Sequence, residues 1–192
     1  MKKTAITFMV LLICFYMIAC ATPPVEEMNR AQNAVTRAEN DPDAVAYAGG
    51  AIIRARDALE KMQSEADAKR YDEAKEYAAA ATRNAEQAIT DGKIGAELAR
   101  NQALSLINSL GEPLAETADA ISTAREVPNI TVDFDTLSQD LDAAYSTYDD
   151  AWQNFQDENY QDAIDESQNV RSTISSINTI LSEAAQDTSR KK

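Results

Sequence analysis

Five alanines, Ala74, Ala78, Ala81, Ala85 and Ala88, recur at intervals alternating between four and three residues. That spacing lays them along one face of an α-helix, whereas a strand would divide them between two faces. An all-alanine face also lets a neighbouring helix approach at the low end of the usual ~8–10 Å interaxial range. Two further stripes precede it: Met28, Ala31, Val35, Ala38, and then Val45, Ala48, Ile52, Ala55, Leu59, Met62, Ala66. The alanine spacing continues through Gly92, Ala96, Ala99, Ala103, Leu106 and Leu110, with Asp91-Gly92 and Gly95 as places where the helix could kink. Breaks are expected at Asn40-Asp41-Pro42-Asp43, at Lys69-Arg70-Tyr71 and at Gly111-Glu112-Pro113, because proline removes a donor and disfavours helix in the residue before it. Gly49-Gly50 falls in the first turns of the second stripe and is expected to fray them. With five glycines and five prolines in 192 residues, the pattern predicts an all-α antiparallel bundle of long helices.

The pattern then restarts. Ala120-Ile121-Ser122-Thr123-Ala124 echoes Ala34-Val35-Thr36-Arg37-Ala38, and Pro128 echoes Pro42, all 86 residues later. After the prolines the offset becomes 89. Leu141, Ala144, Tyr148 and Phe155 then fall on Ile52, Ala55, Leu59 and Ala66. Asn159-Tyr160-Gln161-Asp162-Ala163 falls on Arg70-Tyr71-Asp72-Glu73-Ala74. Ala163, Ser167, Val170, Ile174, Ile177 and Leu181 fall on Ala74, Ala78, Ala81, Ala85, Ala88 and Gly92. Thr136 to Gln139 has the form of a capping box that would start the second unit's middle helix. We read a duplicated three-helix unit, residues 25–110 and 111–187, followed by a basic tail at 188–192; the competing reading is chance alignment of Ala-rich helices. The second unit carries the bulky apolar residues and with them most of the burial energy, at ~25 cal/mol per Å². The first is expected to be the less stable.

The Tyr-x-x-Ala turns at Tyr71 and Tyr160 resemble the centre of a tetratricopeptide repeat over a few residues each. Residues 21–89 as a whole resemble an uncharacterised family of short helical envelope lipoproteins, in which a Pro-containing tether leads into a helix, a proline loop and a long hairpin. That resemblance implies fold and compartment, and no activity.

The N-terminal residues are an address. Lys2 and Lys3 precede an apolar run from Ala5 to Met17, too short to span a bilayer, which needs ~20 apolar residues. Met17-Ile18-Ala19-Cys20 follows and resembles the lipobox of bacterial lipoproteins, with Met17 where leucine is usual. The resemblance implies cleavage of a signal peptide (1–19), acylation of Cys20, and a tether at 20–24; the alternative is an ordinary signal peptide cut after Ala19. Ala21, which is not aspartate, favours the outer membrane over the inner within that family. Two or more acyl chains give stable anchoring.

Chemistry is tightly bounded. On the lipobox resemblance Cys14 would leave with the leader and Cys20 would be taken by lipid, so no thiol, disulfide or cysteine metal ligand is expected. Histidine is absent, which excludes Ser-His-Asp and Cys-His catalysis and His-ligated metal. Without the leader, 16 basic residues face 32 acidic ones, a net −16 that repels nucleic acid and anionic lipid. Asp149-Asp150, Asp157-Glu158 and Asp165-Glu166 read as a solvated face; Asp133-Phe134-Asp135 reads as helix capping. No catalytic residue, metal or cofactor is expected. Two functions remain: a non-enzymatic helical scaffold or protein-interaction module with an envelope-protein or cell-wall partner, and a periplasmic ligand-binding component serving a transporter. Tyr145 and Trp152 lie on the flank of the second unit's apolar stripe, where the first unit has Arg56 and Gln63. They either cover the edge of the core or form a contact site for a partner.

Overall fold

The computed structural model describes residues 22–190, which form six helices of 15 residues or more and one short helix, with no strand. In chain order they are α1 (Val25–Glu39), α2 (Pro42–Tyr47), α3 (Gly49–Asp67), α4 (Tyr71–Asn108), α5 (Gly111–Arg125), α6 (Phe134–Gln156) and α7 (Tyr160–Arg190). The chain is all-α, as its periodicity predicts. It divides into two compact units at Lys93/Ile94, within α4, and not at the 110/111 boundary drawn from the repeat. Cys20 lies outside the described residues.

The first unit packs α1, α2, α3 and the alanine face of α4. Ala31, Val35 and Ala38 of α1, Ile52, Ala55 and Met62 of α3, and Ala78, Ala81, Ala85 and Ala88 of α4 share one core. The second stripe is corrected at its start. Asp41 caps α2 by accepting from the Ala44 N–H (2.9 Å), Pro42 takes the first helical position, and the helix breaks at Ala48 before restarting at Gly49. Val45 therefore faces solvent, and Gly49-Gly50 begins a helix where fraying was expected. Pro24, assigned to the tether, is buried at the start of α1 and accepts from the Met28 N–H.

Neither Asp91-Gly92 nor Gly95 interrupts α4. At Gly92 the backbone of Ala44 comes so close that a Cβ would lie 2.5 Å from its nitrogen and 2.6 Å from its Cα. The glycine is there to admit α2 against α4. Further along, Ile107 and not Leu106 takes the buried position. A sequence repeat of three and four drifts against the 3.6-residue turn over so long a helix.

The second unit packs α5, α6 and α7 around Leu114, Ile121, Leu137, Leu141, Val170, Ile174, Ile177 and Leu181. Gly111 opens α5 immediately after α4 closes, with Pro113 inside its first turn. The middle helix starts at Phe134 and not at Thr136. Asp133 is its cap, accepting from the Asp135 and Thr136 N–H groups (both 3.1 Å) and from Thr136 Oγ1 (2.9 Å). Those bonds, led by the Thr136 N–H, hold the Asp133 carboxyl below its ordinary value. The residues read as a basic tail continue α7 as far as Arg190.

The two hairpin turns repeat in detail. Lys69 and Glu158, 89 residues apart, both take a left-handed backbone (φ 58° and 63°) although neither is glycine. In the first turn Lys69 N–H donates to the Ala66 carbonyl and Arg70 N–H to Glu65; in the second Glu158 donates to Phe155 and Asn159 to Asn154. This pair of bonds closes the C-terminus of each preceding helix in the same way. The buried register agrees as well: Ala74, Ala78, Ala81, Ala85, Ala88 and Gly92 are buried, and so are all six of their counterparts in α7. The proline match is looser, since Pro42 begins a helix and Pro128 lies in the irregular segment between α5 and α6.

Candidate functional site

The α6 helix is the place where charge departs most from the first unit. Its Leu137, Leu141, Ala144 and Ala151 face the core, while Tyr148 and Phe155 are half-buried. That register fixes the flank. Tyr145 is 39% exposed, and among the described residues nothing hydrogen-bonds or stacks on it. Trp152, two turns further on, is half-buried and meets Phe155 edge to face at 5.9 Å and 87°. Phe155 in turn contacts Tyr160 at 5.6 Å, across the hairpin turn. Trp152 is thus engaged by a neighbouring ring, and Tyr145 is the more exposed of the two.

Their counterparts in the first unit are engaged. Arg56 forms an ion pair with Glu39 at the end of α1, and Gln63 donates to Asp67 at 3.1 Å. In the second unit the residue corresponding to Glu39 is Arg125. It turns to the start of α6, donating to the Phe134 carbonyl (3.1 Å) and Ser138 Oγ (3.0 Å), with its guanidinium 5.1 Å over the Phe134 ring. Tyr145 is left without that partner. A second guanidinium, that of Arg100, lies 5.8 Å over Phe155. Both phenylalanines of α6 therefore carry an arginine on their faces. The sequence pattern shows the aromatics but not these tertiary contacts.

The charge around them is one-sided. Between Arg125 and Arg171 the chain carries twelve carboxylates and no lysine or arginine. The corresponding stretch of the first unit, residues 40–81, carries nine carboxylates and six basic residues. Asp142 and Asp149 stand on the same flank as Tyr145, three residues before it and four after, and Asp149 is three before Trp152. This imbalance was readable from the sequence as a run without cations. Taken pair by pair, its carboxylates do not reveal it.

Among the described residues no group of His, Cys, Asp or Glu could hold a metal ion, and no buried side-chain polar atom lacks a hydrogen-bond partner. Among the described residues, this unit carries open depressions on its surface. One of about 550 Å³ lies along the polar face of α7 from Gln168 to Ile180, and one of about 430 Å³ lies between the start of α6 and the end of α7.

Residues 26–106 match a family model described as Domain of unknown function (DUF4398). The match begins in the first turn of α1 and ends near the end of α4, so α5, α6 and α7 lie beyond it. No curated protein and no solved structure matches the chain.

Proposed function

We propose that this chain is a lipid-anchored envelope lipoprotein, carried by Cys20, that serves as a non-enzymatic helical scaffold or protein-interaction module, with the outer membrane favoured. The observation that carries the anchoring is Met17-Ile18-Ala19-Cys20 at the end of a short apolar run. The charge supports it: a chain of net −16 after cleavage has no electrostatic attraction to an anionic bilayer, so attachment falls to the acyl chains. No helix among the described residues is long and apolar enough to cross a membrane. The module reading is supported by closely packed helices around an alanine-rich core in one unit and an unengaged aromatic on the outer flank of the other. A ligand carrier calls for an enclosed apolar site. The depression along α7 is instead open and lined mainly by glutamine, serine, threonine and arginine.

Replacement of the anchor tests the reading. The Cys20→Ser variant should accumulate as an uncleaved precursor or leave the detergent phase. Unchanged processing together with unchanged detergent partitioning would overturn it.

A further inference from the structure

Two of the five aromatic rings of α6 carry an arginine on their faces. Phe134 receives the guanidinium of Arg125 at 5.1 Å, and Phe155 receives that of Arg100 at 5.8 Å. Tyr145 and Trp152 lie between these two rings in the helix and carry no such cation. None is near in sequence, because the chain from Glu126 to Val170 contains no basic residue at all. The one position of the first unit where a cation stands on this flank, Arg56, is the position that corresponds to Tyr145. Asp142 and Asp149 flank the exposed ring, so a cation drawn onto it would meet carboxylates beside the π-face.

We infer that the flank Asp142, Tyr145, Asp149, Trp152 docks a segment of another protein bearing arginine or lysine side chains, an inference that rests on the reading of the chain as an interaction module. Tyr145 and Trp152 are seven residues apart, which is ~10 Å along a helix. A partner helix with cations at positions i and i+7 matches that spacing. The acidic surface raises the encounter rate with such a segment and disfavours anionic partners, including phospholipid headgroups. Ring faces and carboxylates then hold the cations together, as they do within this chain around Arg125, which stacks on Phe134 and lies 3.9 Å from Asp135.

Trp152 is the chain's single tryptophan, so its emission reports on this flank alone. The full chain is titrated with three synthetic helical peptides of equal length. The first has arginines at i and i+7 on a leucine-alanine background, the second has both arginines adjacent, and the third has glutamates at i and i+7. The first should shift Trp152 emission saturably, bind tighter than the second, and weaken steeply with added salt; the third should not bind. Tyr145→Ala and Asp149→Asn should each weaken binding by about ten-fold, while Tyr145→Phe, which keeps the ring, should bind as well as the parent. Equal binding of the glutamate peptide would overturn the proposal. So would equal binding to all variants, which would mark a diffuse charge effect, or no binding of the first peptide. A photo-crosslinker at position 145 in intact cells separates the two readings. A linked partner segment without lysine or arginine would end the cationic proposal and leave the interaction module standing. Absence of any protein adduct from that position and from other exposed positions of α6 and α7 would remove both.

Discussion

Two hairpins in this chain use one backbone solution and opposite chemistry. Each closes its first helix with a left-handed, non-glycine residue and the same pair of backbone bonds, at Lys69 and at Glu158. Beside that turn the first hairpin carries an ion pair between Arg70 and Glu65, which holds the Glu65 carboxyl below its ordinary value. At the same two positions the second has Asn159 and Asn154, joined by an amide hydrogen bond of 3.4 Å. Inside, the first sets an all-alanine face of α4 in a core with Ile52, Ala55 and Met62 of α3, and leucine, isoleucine and valine fill the other. The difference teaches that turn geometry and buried register specify the hairpin, whereas core volume and surface charge are free to change around them.

The largest test of that separation removes volume from the second core. Ile177→Ala installs what the first unit has at Ala88, in a site that is 1% exposed, and should cost about 4 kcal/mol by denaturant unfolding, because the surroundings cannot close on the void. A loss below about 1 kcal/mol would mean that the second core tolerates the alanine packing of the first. The opposite exchange adds volume. Gly92→Leu imports the second unit's Leu181 and should cost about 3 kcal/mol, with hydrogen-exchange protection lost first in α2, which the new side chain would displace. Retained protection in α2 would show that its seat on α4 is not tight. The smallest effect should be the same in both hairpins. Lys69→Gly and Glu158→Gly each relieve a left-handed side-chain clash and should stabilise by about 0.5 kcal/mol. Gains of opposite sign would show that the two turns are alike only in form.

Much of the fold was written in the spacing of small and apolar residues. The alanine face of α4, the break after Glu39 and both hairpin turns follow from residues close in sequence, where local hydrogen bonding and 3.6-residue periodicity decide the outcome. Tertiary clearance decided the rest. Gly92 reads as a helix breaker until the approach of Ala44 is known, and Val45 reads as core until the chain breaks at Ala48. Between Asp133 and Thr136, two competent caps three residues apart, the sequence gives no preference; the structure uses Asp133. For the candidate site, the flank position of Tyr145 and Trp152 was legible from register. Their different surroundings were not, because the ring contact of Trp152 with Phe155 and the stacking of Arg100 depend on how side chains meet in space.

The close approach at Gly92 also bears on how this chain can vary by descent. Every single-base change that alters a glycine codon's meaning yields either a stop or a residue with a Cβ. At this position any Cβ meets main-chain atoms of Ala44 and the carbonyl carbon of Asp43, none of which can swing aside as a side-chain tip would. Position 92 is therefore closed to drift unless the Asp43–Ala44 backbone moves with it. Its counterpart, Leu181, carries no such restriction. Positions that match in register thus differ in what they tolerate, one limited by main-chain clearance and the other by core volume.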